Sequence, residues 1–225
     1  MLDKSLFICY STPNYSELTN MFLDSLRDIN VNDNNLKHTL DCSTTEMFKE
    51  TGHQTDLWYY CISAKLNNLI NTLKNHKMLT HIKYFISTDC DIIYIKKNID
   101  EWSNLESFMQ NGNKDIYFMR ESTTNNVNGG FYIIKNNDNI TSIIDFLIDV
   151  LQTLNKTDKI NMPDGDQTII NIFKNRINYG FIPNEYVIWA SKIYNVNKSL
   201  FHHAVCCVDV PEKILQINNV KKFFE

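Results

Sequence analysis

Apolar and polar positions alternate along the chain in two periods. Leu6–Tyr10 is a short apolar run that predicts a first strand, broken by Ser11-Thr12-Pro13-Asn14. Leu18, Phe22, Ser25 or Leu26, and Ile29 then recur at helical spacing, and Asn14 with Glu17 three residues later predicts a capping box. From Val31 to Gly52 the chain is polar, with a short strand at Leu36–Asp41. Thr55 opens a long helix carrying Trp58, Ile62, Leu66, Leu69, Ile70 and Leu73 on one face. Tyr84–Ile86 predicts a strand buried on both faces; it runs through Ser87 and Thr88 into Asp89-Cys90-Asp91, and apolar character returns at Ile92–Ile95.

Asn98 and Glu101 predict a cap for a helix with Ile99, Trp102, Leu105 and Met109. Asp115–Met119 reads as a strand and Arg120–Asn126 as a polar loop. Asn128-Gly129-Gly130 then precedes a strand at Phe131–Ile134. Paired glycines at that place imply backbone that must approach a ligand or a neighbouring strand closely. Ile140, Ile143, Ile144, Leu147, Leu151 and Leu154 mark another amphipathic helix. Asp164 and Gln167 predict a capping box for the helix of Ile169, Ile170 and Phe173. Tyr186–Trp189 and Ser199–Phe201 read as late strands, with His202-His203 just beyond the second. A last helix starts near Pro211 under an Asp209…Glu212 cap. Strands and helices alternate without linker or repeat, which predicts one α/β domain over residues 1–225, a mostly parallel sheet flanked by helices.

Composition changes this picture little. The 225 residues are 43% hydrophobic and 21% charged with net charge −4, so a basic nucleic-acid-binding surface is not expected. Met1–Tyr10 lacks the length of a signal peptide, and no segment approaches the ~20 apolar residues of a membrane span. The chain reads as cytoplasmic, and its six cysteines, without a C-x-x-C pair, as reduced and buried.

The chemistry begins at Asp89-Cys90-Asp91. Two carboxylates inside so apolar a segment cost several kcal/mol if buried unpaired. In extended backbone, residues two apart face the same side, so both acids can meet one divalent cation while Cys90 packs away from it. The alternative is a pair of aspartates capping the next turn. Lys65, beside Leu66 at the edge of the helix stripe, reads as a lysine snorkelling to water, with a substrate contact as the other possibility. Asp166-Gln167 at a helix start and His202-His203 at a strand end complete a set of carboxylates and imidazole. That set suits Mn²⁺ or Mg²⁺ with a phosphate ligand at the carboxyl ends of the strands. Cys206-Cys207 lack the second ligand pair of a structural zinc site.

Taken together these stretches resemble the GT-A-fold glycosyltransferases that use nucleotide-diphosphate sugars. The likeness is greatest to the nucleotide-diphospho-sugar transferase branch with retaining members, including versions encoded by large DNA viruses. Ile8–Leu26 resembles its first strand and nucleotide-binding loop, and residues 52–65 the helix that brings a lysine toward the donor. FISTDCDIIYI resembles its strand, D-x-D, strand signature; Asn128-Gly129-Gly130-Phe131 its N-x-G-F element; Asp166-Gln167 its D-Q pair; and Phe201-His202-His203 its C-terminal histidine.

The resemblance implies a GT-A, Rossmann-like domain and a set of residue roles. By it Asp89 binds ribose and metal, Asp91 ligates the metal, and His202 completes the site, with His203 the other register. Asp166 and Gln167 lie near the transferred sugar and Asn128 and Gly129 beside it, while Thr12, Tyr15 and Lys65 contact the nucleotide and its phosphates. It implies a UDP-sugar donor, Mn²⁺ (or Mg²⁺), a hydroxyl acceptor of unspecified class, transfer with retention, and host cytoplasm as the place of action if the chain is virus-encoded. An oligomer remains open. The competing readings are a metal-dependent phosphohydrolase or nuclease using the same acids, and an inactive nucleotide-sugar-binding protein of the same fold.

Overall fold

The computed structural model describes residues 1–44, 54–157, 163–207 and 209–225. Gly52, at the start of the stretch likened to a donor-facing helix, lies outside the described residues. In chain order the elements are β1 (Ser5–Ser11), α1 (Ser16–Asp28), β2 (Leu36–Leu40), α2 (Asp56–Lys74), β3 (Tyr84–Thr88) and β4 (Ile92–Tyr94). They continue with α3 (Glu101–Asn111), β5 (Ile116–Arg120), β6 (Val127–Lys135), α4 (Ile140–Lys156), α5 (Asp166–Phe173) and β7 (Tyr179–Phe181). The last are β8 (Val187–Trp189), β9 (Lys192–Ile193), β10 (Phe201–His203) and α6 (Val210–Lys221).

Six strands form the central sheet in the order β2-β1-β3-β6-β5-β7. β1, β2 and β3 are parallel, β6 pairs antiparallel with β3 and β5, and β7 is parallel to β5, so β6 alone runs against the rest. The continuous apolar strands follow from burial on both faces. Phe7, Cys9, Tyr84 and Ile86 pack with Leu18, Phe22, Leu26 and Trp102 of α1 and α3 on one side. Leu6, Ile8 and Phe85 pack with Leu66, Leu69, Ile143 and Leu147 of α2 and α4 on the other. The remaining strands form a second sheet in the order β4-β10-β8-β9.

Several boundaries differ from the sequence expectation, each for a local reason. Asn128-Gly129-Gly130 lies inside β6 rather than before it, and His202-His203 form β10 rather than follow it. Pro13 starts a short 3₁₀ turn, so α1 begins at Ser16 and Asn14 does not cap it. The Asn98 amide, expected at a helix cap, instead donates to the carbonyls of Val196 and Ser199 and ties down the approach to β10. Gly165, at φ 55°, precedes α5 in place of an Asp164 side-chain cap. The Asp209 cap is present, accepting from the amide of Glu212, and Thr55 also proves to cap α2, accepting from the amide of Trp58. Of the cysteines expected to be buried, only Cys9 and Cys90 are; Cys42 and Cys206 are exposed.

The reversed direction of β6 is the feature that shapes the site. It brings the first residues of β6 beside the last residues of β3, pairing Thr88 with Phe131.

Candidate active site

The link from β3 to β4 is a turn, not extended backbone. Asp89 N–H donates to the Gly130 carbonyl at 2.9 Å, Ile92 N–H to the Asp89 carbonyl at 3.3 Å, and Ala204 N–H to the Asp91 carbonyl at 3.1 Å. β6 and the end of β10 thus hold the turn from two sides. Both acids converge, as a strand would also have made them, and Cys90 is buried beneath.

A histidine completes the group. Ligand atoms of Asp89, Asp91 and His203 all lie within 4.8 Å of one another, and His203 Nε2 is 3.3 Å from Asp91 Oδ1. His202, the first-choice ligand from the resemblance, is not in the group. Neighbours on a strand point to opposite faces, so only one of the two can meet the acids. His202 Nε2 instead donates to Gln216 Oε1 of α6 at 3.2 Å, and burial pushes its pKa down to about 4, leaving a neutral imidazole. Gly130 makes room for the cluster. A Cβ there would sit 2.5 Å from His203 Cε1 and 3.0 Å from Asp89 Oδ2.

Two ammonium groups face the acids. Lys65 of α2 does not snorkel: its side chain is 13% exposed and reaches Asp89 Oδ1 at 3.2 Å, the Gly129 carbonyl at 3.1 Å and Asp166 Oδ2 at 3.4 Å. Burial alone would favour a neutral amine there, but Asp166 and Asp89 outweigh it and raise the pKa. Lys213, in the first turn of α6, contacts Asp91 Oδ2. Burial works to raise the Asp91 carboxyl, yet Lys213 and His203 hold it well below the usual carboxylate range. Asp89 moves the other way, because desolvation exceeds the pull of Lys65.

Beyond the acids lies a hydrogen-bonded amide cluster. Gln167 Oε1 accepts from Gly129 N–H at 3.0 Å and Asn128 Nδ2 at 3.1 Å. Glu121 Oε2 accepts from Gln167 Nε2 at 2.8 Å and Asn128 Nδ2 at 3.0 Å. Gly129 leaves little room for a side chain, since a Cβ would stand 3.1 Å from Asp166 Oδ1.

Two cavities meet at Asp89, Asp91 and Lys213. The smaller, about 150 Å³, is walled by Tyr10, Thr12, Tyr15, Trp58, Cys61 and Lys65. The larger, about 640 Å³, is walled by Glu121, Asn128, Gln167, Trp189 and His203 among others.

A sequence profile of the nucleotide-diphospho-sugar transferases matches residues 73–217, from the end of α2 to α6 and across the whole acid–histidine group. The chain belongs to that family. It is a glycosyltransferase. A glycosyltransferase involved in glycosylation of the major capsid of PBCV-1 superposes on 95% of this chain and 99% of its own, with TM-score 0.62 and 13% identity. GlyE of Streptococcus pneumoniae TIGR4 aligns with 90% of this chain at TM-score 0.52 and 16% identity, the chain spanning 55% of its length. Mouse xyloside xylosyltransferase 1 aligns with 90% of this chain and 98% of its own at TM-score 0.50 and 12% identity. At these identities the likeness shows the fold. No curated protein matches the chain in sequence.

The transferase lines the two cavities with Thr12, Tyr15, Lys65, Asp89, Asp91, Asn128, Gln167 and His203, sets buried Asp166 and Gly129 behind Lys65, and leaves out His202. Lys213 and Glu121 are site residues that the sequence reading misses. A lysine in the first turn of a helix opposes the helix dipole, which signals that a carboxylate elsewhere holds it. Glu121 sits in a polar loop and carries no such signal. No described helix is long and apolar enough to cross a membrane.

Proposed function

We propose that this transferase moves a sugar from a UDP-sugar to a hydroxyl acceptor, with Mn²⁺ (or Mg²⁺) as cofactor and with retention at the anomeric carbon. The observation that carries the metal reading is the convergence of Asp89, Asp91 and His203 at the boundary of two cavities. Asp91 Oδ1 is buried there and, among the described residues, makes no hydrogen bond, with His203 Nε2 standing off at 3.3 Å. The desolvation of such an atom calls for a ligand. Carboxylate and imidazole donors without thiolate fit a hard or borderline divalent ion.

Charge counting supports a divalent ion. Asp89, Asp91 and Asp166 face Lys65 and Lys213, and Glu121 stands on the wall of the larger cavity, so acids outnumber ammonium groups; a divalent ion would offset that excess and let a diphosphate approach. Such an ion supplies Lewis-acid stabilisation of the departing diphosphate, worth several kcal/mol.

The chain's own groups do the rest. Breaking the anomeric C–O bond sends its electron pair to the diphosphate oxygen, and Lys213 and Lys65 are the ammonium groups placed to stabilise that charge. The acceptor hydroxyl bonds to the anomeric carbon from the same face and gives its proton to the departing phosphate oxygen. Asp166 and Gln167 hold the sugar beneath that exchange, and Tyr15 and Trp58 wall the smaller cavity for the nucleoside.

Thermal-shift screening against UDP-, GDP- and CMP-sugars, each with and without Mn²⁺, tests the reading. Stabilisation by UDP-sugars with Mn²⁺ is expected, about 2.7 kcal/mol at a hundredfold excess over Kd. Equal shifts for all three nucleotides, or shifts indifferent to Mn²⁺, would count against it.

A further inference from the structure

Glu121 faces the larger cavity and belongs to none of the motifs that define the site. Its Oε2 receives two hydrogen bonds, from the side-chain amides of Gln167 and Asn128. A carboxylate oxygen only accepts, so both groups facing it must be N–H. That requirement acts with the backbone N–H groups of Gly129 and Gly130 to fix the direction of the whole cluster. Gln167 Oε1 is turned inward, where Gly129 N–H and Asn128 Nδ2 occupy it. Asn128 spends both Nδ2 hydrogens, one on Glu121 and one on Gln167, and its Oδ1 accepts from Gly130 N–H at 2.9 Å.

Gln167 Nε2 carries two hydrogens and, among the described residues, meets only Glu121. One N–H therefore remains for whatever fills the cavity, while the carbonyl is already engaged by two donors. Turning the amide over would set its NH₂ against the donors Gly129 N–H and Asn128 Nδ2, and its oxygen against Glu121.

We propose that Glu121 is a positioning residue which, acting through Gln167, makes that side chain present an N–H donor to an oxygen of the transferred sugar. Gln167 reads the sugar as a hydrogen-bond acceptor, and its carbonyl does not face the anomeric carbon. The inference deepens the sugar-nucleotide reading of this cavity and rests on it for the identity of the ligand.

The test compares the wild type with E121Q, Q167E and the exchanged pair E121Q/Q167E. Donor turnover is followed as UDP release with Mn²⁺, and the Gln167 side-chain amide protons by NMR. E121Q removes the charge that holds both amides and leaves Gln167 tied by Gly129 N–H and Asn128 alone; it is expected to lower kcat roughly a hundredfold, the scale of a misplaced contact, with donor KM within about threefold. The exchanged pair keeps three of the four bonds, since the carboxylate then at position 167 accepts from Gly129, from Asn128 and from the amide then at position 121, while the bond from Asn128 to position 121 is lost. It is expected to melt above Q167E, in which two carboxylates face each other, yet stay as inactive, because position 167 then has no N–H to offer.

Recovery of turnover in the exchanged pair, or wild-type kcat in E121Q, would overturn the proposal. So would Gln167 amide protons that exchange equally fast in the wild type and E121Q. Slow exchange confined to the wild type, with no UDP released from any UDP-sugar, would support the orientation and sink the sugar-nucleotide reading instead.

Discussion

His203 and His202 are one peptide bond apart and meet different surroundings. His203 joins two acids at the turn, while His202 ties β10 to Gln216 of α6. Replacing His203 with Asn is expected to weaken Mn²⁺ binding about a hundredfold, on the scale of a lost ligand, with little change in melting. His202→Asn should do the reverse: Mn²⁺ affinity within about twofold of wild type, and a stability loss of about 1–3 kcal/mol from the unpaired Gln216. Calorimetric titration beside thermal melting separates the two, and equal effects at both positions would contradict the assignment. Cys61, in the smaller cavity, gives a pH test at the same scale. Burial pushes its thiol up to about 11 from an ordinary 9.0, so at pH 7 it holds roughly a hundredfold less thiolate than an unperturbed cysteine. Alkylation followed by mass spectrometry should therefore label exposed Cys206 well before Cys61, and the gap should narrow as pH rises toward 11. The acid pair is legible in the sequence because two carboxylates inside an apolar run demand a counter-charge. The histidine register is not, since two identical neighbours reveal a strand's phase only once its start is known. Lys213 escapes because its partner Asp91 is 122 residues away.

At the scale of elements, α6 carries Lys213 into the site on its first turn. Asp209 Oδ1 caps that turn by accepting from Glu212 N–H at 2.9 Å. Asp209→Ala is expected to cost about 1 kcal/mol of stability, the usual value of a lost cap. Because the frayed turn holds Lys213, UDP affinity should also fall, whereas an equally costly change in the outer face of α4 should leave it alone. A loss of stability without any loss of UDP affinity would detach α6 from the site. Helices are legible because their apolar stripes repeat over several turns: Trp58, Ile62, Leu66, Leu69 and Leu73 define α2 without ambiguity. Their starts are less legible, as Pro13 and Gly165 impose backbone that caps do not announce. The first residues of β6 escape the pattern because glycines carry no apolar side chain to continue it, and glycine is what the site requires there.

For the whole molecule, an α/β layer is evident from the alternation of periods, and the antiparallel β6 is not. Its signal is present in the link from β5, residues 121–126, which is far too short for the dozen or more residues of a parallel crossover. That reversal is what sets Asn128, Gly129 and Gly130 against the Asp89–Asp91 turn, so the acid–histidine group, the amide cluster and both cavities depend on it. On the proposed reading the acids and His203 grip a cation which in turn holds a nucleotide by its phosphates, and calorimetric titration of the protein with UDP, in Mn²⁺ and again in excess chelator, measures that link. UDP is expected to bind at least about tenfold tighter with Mn²⁺ in the wild type, an advantage abolished in Asp91→Asn. UDP affinity unchanged by chelator, with the same affinity in Asp91→Asn, would contradict it.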